Sequence, residues 1–133
     1  MDRRPIGYWL KEIDRQIEED FARLLADERL TRRYWQVLNT LAEQPRTTAA
    51  LDDELSPFLS EEAPSVAPVV DDLRTRGWLT EANALTEIGA ARHKQVSERV
   101  MANRRRLTEG ISAEEYRTVV DVLERMAGNL TTA

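Results

Sequence analysis

Ile6, Trp9, Leu10, Ile13, Ile17, Phe21, Leu24 and Leu25 recur at the three- and four-residue spacing of an amphipathic helix. This pattern predicts a first helix from about Pro5 to Asp27. Pro5 suits its first turn, where the missing N–H would have no partner anyway. A second stripe, Tyr34, Trp35, Leu38, Leu41 and Ala42, follows Thr31, whose hydroxyl is placed to cap a free backbone N–H, and stops before Pro45. Thr47 or Thr48 then caps a short helix, roughly Ala49 to Leu55, that Ser56-Pro57 ends, because the residue before a proline avoids helical angles. In the irregular run that follows, Phe58 and Leu59 are expected to tuck into the core.

Val66, Val69, Val70 and Leu73 make the inward face of a fourth helix, about Pro64 to Arg76. Gly77 suits the left-handed position that ends it. Trp78-Leu79-Thr80 and Ala84-Leu85-Thr86 read as two short strands with Asn83 in the turn between them. A fifth helix, Glu87 to Leu107, has a sparse apolar pattern and a surface rich in Arg and Lys, and Gly110 breaks it. Before the last helix Ser112 and Glu115 form a capping box, with Ile111 and Tyr116 at the staple positions.

Both ends of the chain carry long apolar stripes. The first includes Ile6, Leu10, Ile13 and Ile17, and the last Tyr116, Val119, Val120, Leu123, Met126 and Leu130. The middle already supplies three helices and a hairpin for a core. The end stripes are therefore covered either by their own domain or by a second copy across a two-fold axis. The second is the more economical solution and predicts a homodimer.

At 133 residues the chain has the size of a single domain. Its apolar runs are too short to span a membrane, and the N-terminus lacks the apolar core of a signal peptide. The absence of cysteine excludes disulfides and thiolate metal sites and fits a cytoplasmic protein. His93, the only histidine, has no second ligand or triad partner beside it in sequence. Paired acids such as Glu18-Glu19 and Asp52-Asp53 diverge on a helix instead of converging. No cofactor, metal site or enzymatic activity is expected.

Three stretches carry a resemblance. Leu30 to Leu38, LTRRYWQVL, is similar to an "LT…W.VL" helix. Ser65 to Trp78, SVAPVVDDLRTRGW, is similar to "TV.RLVDRLE.RGLV". Leu85 to Gly89, LTEIG, is similar to "LTE.G". In this order they resemble the MarR (multiple antibiotic resistance regulator) family of transcription factors over nearly the whole chain. The resemblance implies a mainly α fold with a small β-hairpin, a winged helix-turn-helix flanked by N- and C-terminal dimerisation helices. The winged-helix lobe would span about 30–88, and the dimerisation region 5–27 and 89–130. It further implies a homodimer on palindromic double-stranded operator DNA, and a small aromatic or amphipathic effector lodged between lobe and dimerisation helices. Three departures stand out: Pro68 where the family often has a basic or polar residue, Asp72 where it has Arg, and a short loop, Thr80 to Asn83, without the family's wing Arg. A proline at 68 removes an intrahelical bond unless it lies in the first turn, so the fourth helix either begins later, near Ala67, or bends.

Charge pulls against this implication. From Gln44 to Ala91 three arginines face nine acids, a net −6, in a chain whose total is −5. The half expected to bind DNA is the acidic half, although phosphate neutralisation supplies most non-specific affinity. Thr31, Arg32, Arg33, Arg46, Thr47, Thr48, Arg74 and Arg76 are the candidate phosphate contacts. Ser65, Ala67 and Pro68 are placed for base edges, the latter two for a thymine methyl. The plain alternative makes Ser65 a cap and the arginines solvated. Arg104-Arg105-Arg106 is either a solvated helix face or a phosphate or partner contact. Tyr8, Trp9, Trp35 and His93 are candidates for an effector pocket, against the simpler reading of Trp35 as core. Two functions follow: a ligand-modulated DNA-binding regulator, or a winged-helix dimerisation or interaction module with weak or lost DNA binding.

Overall fold

The computed structural model describes residues 3–131, and in them the chain is mainly helical. Six α-helices run in order: α1 (Ile6–Leu25), α2 (Arg32–Glu43), α3 (Thr48–Glu54), α4 (Ala67–Thr75), α5 (Glu87–Leu107) and α6 (Ala113–Thr131). Short 3-10 turns, Ala26–Glu28 and Ser56–Phe58, follow α1 and α3. The chain divides into two compact units after Val100. Among the described residues no helix is long and apolar enough to cross a membrane.

The first unit holds the core. Phe21 and Leu25 of α1, Val37, Leu38 and Leu41 of α2, Leu51, Leu55, Val66, Val70, Leu73, Leu79 and Val96 pack together with Trp78. Fully burying one such Val or Leu side chain contributes roughly 1.5–3 kcal/mol. Only the C-terminal half of α1 joins this core. Ile17 is half-buried against it, whereas Ile6, Tyr8, Trp9, Leu10 and Ile13 are exposed. Pro5 stands just ahead of the first turn in an extended conformation, its carbonyl accepting from the Tyr8 N–H at 3.1 Å.

Some local expectations are met and others meet a different outcome. Thr31 does occupy the residue before α2, but its hydroxyl makes no capping bond. The cap of α3 is Thr47, whose Oγ1 accepts from the Ala50 N–H at 3.1 Å. Phe58 is exposed and not in the core. The Arg32 and Arg33 guanidinium groups lie over its ring at 5.1 and 4.9 Å, a cation–π position that rewards a ring left at the surface. Helix α4 begins three residues later than Pro64, which puts Pro68 in its first turn, where a missing N–H removes no helical bond.

Gly77, at φ +81°, ends α4 in a Schellman motif. Its N–H donates to the Arg74 carbonyl at 2.9 Å, and the Trp78 N–H donates to the Leu73 carbonyl at 3.0 Å. Where two short strands are expected there is a single antiparallel bridge, Leu79 to Leu85. In the second unit, Gly110 at φ +77° precedes the capping box. There the Ser112 N–H donates to Glu115 Oε1 and the Glu115 N–H to Ser112 Oγ, both at 3.0 Å. Helix α6 has no buried residue: Val119, Val120, Met126 and Leu130 are exposed, and Tyr116 and Leu123 are half-buried.

Candidate nucleic-acid interface

Helix α4 is fixed at its N-terminal end by a carboxylate from α3. Asp52 accepts the Ser65 hydroxyl and the Val66 N–H, each at 2.7 Å, and Ser65 Oγ in turn accepts the Ala67 N–H at 3.0 Å. Free N–H groups at a helix start favour such an acceptor. Asp52 is thus the fastening between the two helices, and Ser65 is turned into that fastening.

The other end of α4 is fastened to the turn closed by the Leu79–Leu85 bridge. Asn83, only 3% exposed and at φ +61°, accepts from Arg74 through Nε at 3.1 Å and Nη2 at 2.6 Å. Its Nδ2 donates to the Arg46 carbonyl at 3.0 Å. One amide therefore joins that turn, α4 and the segment before α3. On the far side, the Thr86 hydroxyl donates to the Gly77 carbonyl at 2.6 Å and accepts the Gly89 N–H at 3.0 Å. This is the physical content of the LTEIG stretch: Thr caps α5, and Gly lets α5 touch the turn. A Cβ at Gly89 would lie 2.9 Å from the Trp78 carbonyl carbon and closer still to its oxygen.

The candidate phosphate contacts are already engaged. Arg32, its side chain 12% exposed, pairs with Asp14 at 2.8 Å and Glu18 at 3.0 Å. Arg33 bonds to Glu18 and Gln36. Arg46 lies 3.6 Å from Glu43 and 3.7 Å from Glu54. Arg74 holds Asn83 and sits 3.5 Å from Asp71. Arg76 donates to Asp72 at 2.9 Å and to the Glu28 and Arg29 carbonyls at 3.1 and 3.0 Å, with the Tyr34 and Trp78 rings 5.2 and 5.4 Å from its guanidinium carbon. Thr31, Thr47 and Pro68 are exposed, and Thr48 and Ala67 half-buried.

Asp72 is drawn inward as well, accepting the Tyr34 hydroxyl at 2.7 Å. That bond, and then Arg76, hold its carboxyl below the ordinary range. Burial, followed by the Asp72 bond, pushes the Tyr34 phenol up.

The four aromatic candidates form two pairs. Tyr8 and Trp9 meet edge to face at 5.0 Å. Trp35 and His93 stack in parallel at 5.4 Å, with His93 Nε2 3.2 Å from Asn39 Oδ1. His93 is half-buried, and this desolvation pulls its pKa below the usual imidazole value.

Asp52, Asn83, Gly89 and the Phe58 ring are the parts that sequence reasoning missed. Gly89 had a signal, since a glycine early in a helix asks for a close neighbour. Asp52 had none, because its partners lie 13 and 14 residues away.

No protein-family model and no curated protein matches the sequence. Solved structures do. A MarR family protein of Mycobacterium tuberculosis in complex with DNA is 24% identical, with a TM-score of 0.73 over 93% of this chain and 98% of that one. The chain has the MarR winged-helix fold. A MarR family transcriptional regulator of Rhodococcus sp. RHA1 is 23% identical at a TM-score of 0.77, covering 92% of this chain and 91% of its own. CouR from Rhodococcus jostii RHA1, bound to p-coumaroyl-CoA, is 24% identical at 0.76 over the same shares.

Proposed function

We propose that this chain is a DNA-binding transcriptional regulator that acts as a homodimer on a palindromic operator and is modulated by a small aromatic or amphipathic ligand. The observation that carries the reading is a MarR fold over almost the full chain, shared with a protein seen on DNA. In this reading α3 and α4 are the helix-turn-helix and Trp78 to Thr86 is the wing, and their fastening by Asp52 and Asn83 supports it, because a helix that enters the major groove must hold its orientation. The winged-helix lobe is then about 30–88. The exposed stripe Ile6, Leu10 and Ile13, and that of Val119, Val120, Met126 and Leu130, are the dimerisation surface. The Trp35–His93 stack and the Tyr8–Trp9 pair are the aromatic surfaces offered to an effector.

The paired arginines define how this regulator grips DNA. Each must trade a carboxylate for a phosphate, so each contact gains less than a free arginine would. A salt titration of binding to DNA from the protein's own promoter region tests this. The expected result is a sequence-preferring complex at low salt, with a slope that grows by about 0.9 per phosphate contact retained.

The same pairing favours a second reading, a winged-helix dimerisation or ligand-binding module that has lost DNA affinity. Absence of any sequence-preferring complex at low salt would select it. Tight binding weakened by Arg32→Ala or Arg74→Ala would eliminate it.

A further inference from the structure

Most side chains of α4 are committed. Val70 and Leu73 are buried, as is Val66 before them. Asp72 turns to Tyr34 and Arg76, and Arg74 to Asn83. Pro68, Asp71 and Thr75 stay exposed. Their spacing of three and four residues puts them on one face, away from the core. The Thr75 hydroxyl folds back onto the Asp71 carbonyl at 3.0 Å. Pro68 and the carboxylate of Asp71, its side chain 74% exposed, are what this face offers a ligand.

A recognition helix meets base edges with its N-terminal residues. Reading guanine requires donors aimed at O6 and N7. Pro68 has none, and an ionised Asp71 is acceptor-only. The donors that a carboxylate can take in the major groove are exocyclic amines, that of cytosine foremost.

We propose that α4 reads its operator through the Asp71 carboxylate, which accepts a hydrogen bond from a cytosine amine, with Pro68 against a neighbouring thymine methyl. This rests on the regulator reading above. Arg74 makes it workable. Its Nη1 lies 3.5 Å from Asp71 Oδ1 while Nε and Nη2 hold the wing amide. The carboxylate therefore enters the phosphate field with a cation at its side and its position tied to the wing.

The arrangement has a signature. A carboxylate repels every phosphate nearby but is rewarded by one kind of base pair. Removing it should tighten binding to duplexes that lack that base pair, gain little at the one that has it, and so flatten the preference at one position. A merely structural side chain would not move affinity and discrimination in opposite directions.

The full chain is used to select duplexes from a randomised pool at low salt. The selected site is then titrated by fluorescence anisotropy, with each base pair exchanged in turn and each thymine replaced by uracil. Wild type should lose about tenfold when one C·G pair per half-site is exchanged. Asp71→Ala should leave the selected duplex within about twofold, bind the exchanged duplexes about tenfold more tightly, and so lose that discrimination. Pro68→Ala should reduce the penalty of one uracil substitution. Both positions are exposed, and unchanged helical circular dichroism confirms the variants as folded. If the costliest exchange is the same in wild type and Asp71→Ala, or the uracil penalty is unmoved in Pro68→Ala, the proposal is overturned and the regulator reading stands. If no duplex is enriched and no complex forms at low salt, both fall.

Discussion

Helices α4 and α6 carry the same kind of apolar periodicity and put it to opposite use. In α4, nine residues long, Val70 and Leu73 are buried, Arg74 reaches Asn83 nine residues on, and Arg76, just past its end, reaches the Glu28 carbonyl 48 residues back. In α6, nineteen residues long, nothing is buried; Thr118 bonds to the Glu114 carbonyl and Thr131 to that of Gly128, the Ser112–Glu115 box caps its start, and the Arg104 guanidinium lies 4.8 Å from the Tyr116 ring. Amphipathicity states that a face needs covering; it does not state by what. A helix closed by distant partners within one chain belongs to a folded core. A helix whose apolar face stays exposed keeps that face for association, the use the dimer proposed above assigns to α6.

The contrast can be broken most forcefully at Gly89, against the turn that ends α4. A Cβ there meets backbone, which cannot swing aside as a side chain can. Gly89→Ala should cost about 3 kcal/mol or more in a denaturant titration, or prevent folding. Gly128, in α6, has nothing within 4 Å of such a Cβ. Gly128→Ala should leave stability unchanged or raise it slightly, since Ala outranks Gly inside a helix. Equal losses at both sites would erase the distinction.

Asn83 gives the next effect. Asn83→Ala leaves the Arg74 guanidinium and the Arg46 carbonyl without their buried partner and places an ordinary residue at positive φ. Together these should cost about 2–3 kcal/mol. Asn83→Gly keeps the backbone conformation and loses only the bonds, so it should recover part of that loss. Thermal unfolding of the two variants side by side separates the contributions. On α6, Val119→Asp should instead leave helical circular dichroism intact and weaken dimerisation by about 2 kcal/mol, seen by analytical ultracentrifugation. Unfolding of that variant would place α6 in the core after all.

What was legible in the sequence follows the range of each interaction. Helix order, the Gly77 and Gly110 breaks and the Ser112–Glu115 box depend on residues at most a few positions apart, and each stands where the pattern put it. The candidate site was legible only as a list of residue types. Arg32 and Arg33 carry visible charge, but Asp14 and Glu18, which neutralise them, sit 14 to 18 residues earlier. Arg76 meets carbonyls 47 and 48 residues away. Formal charge counted the acids of the middle region correctly and missed that Asp52 and Asp72 are fastenings. The two expected strands reduce to the Leu79–Leu85 bridge, flanked by the Thr80 N–H on the Ala84 carbonyl at 2.8 Å and the Thr86 N–H on the Trp78 carbonyl at 3.0 Å, while the distant partners of the Asn83 side chain left no mark in the pattern.

The smallest effect tests the inward side of the comparison at α5. His93 stacks on Trp35 and faces Asn39 Oδ1, in a half-buried place that disfavours its charged form. Its pKa is therefore lower folded than unfolded. Between those two values the unfolded chain binds the extra proton, so the contribution to stability is full above the unfolded value of about 6.5 and is lost as pH falls through the folded one. Because His93 is the only histidine, its ring-proton resonances can be followed without assignment ambiguity. The titration midpoint should lie below about 6.5. His93→Gln should flatten the fall in melting temperature across the same range. A midpoint at or above the ordinary value would mean the stack opens in solution, and α5 would then hold its ring no more firmly than α6 holds its valines.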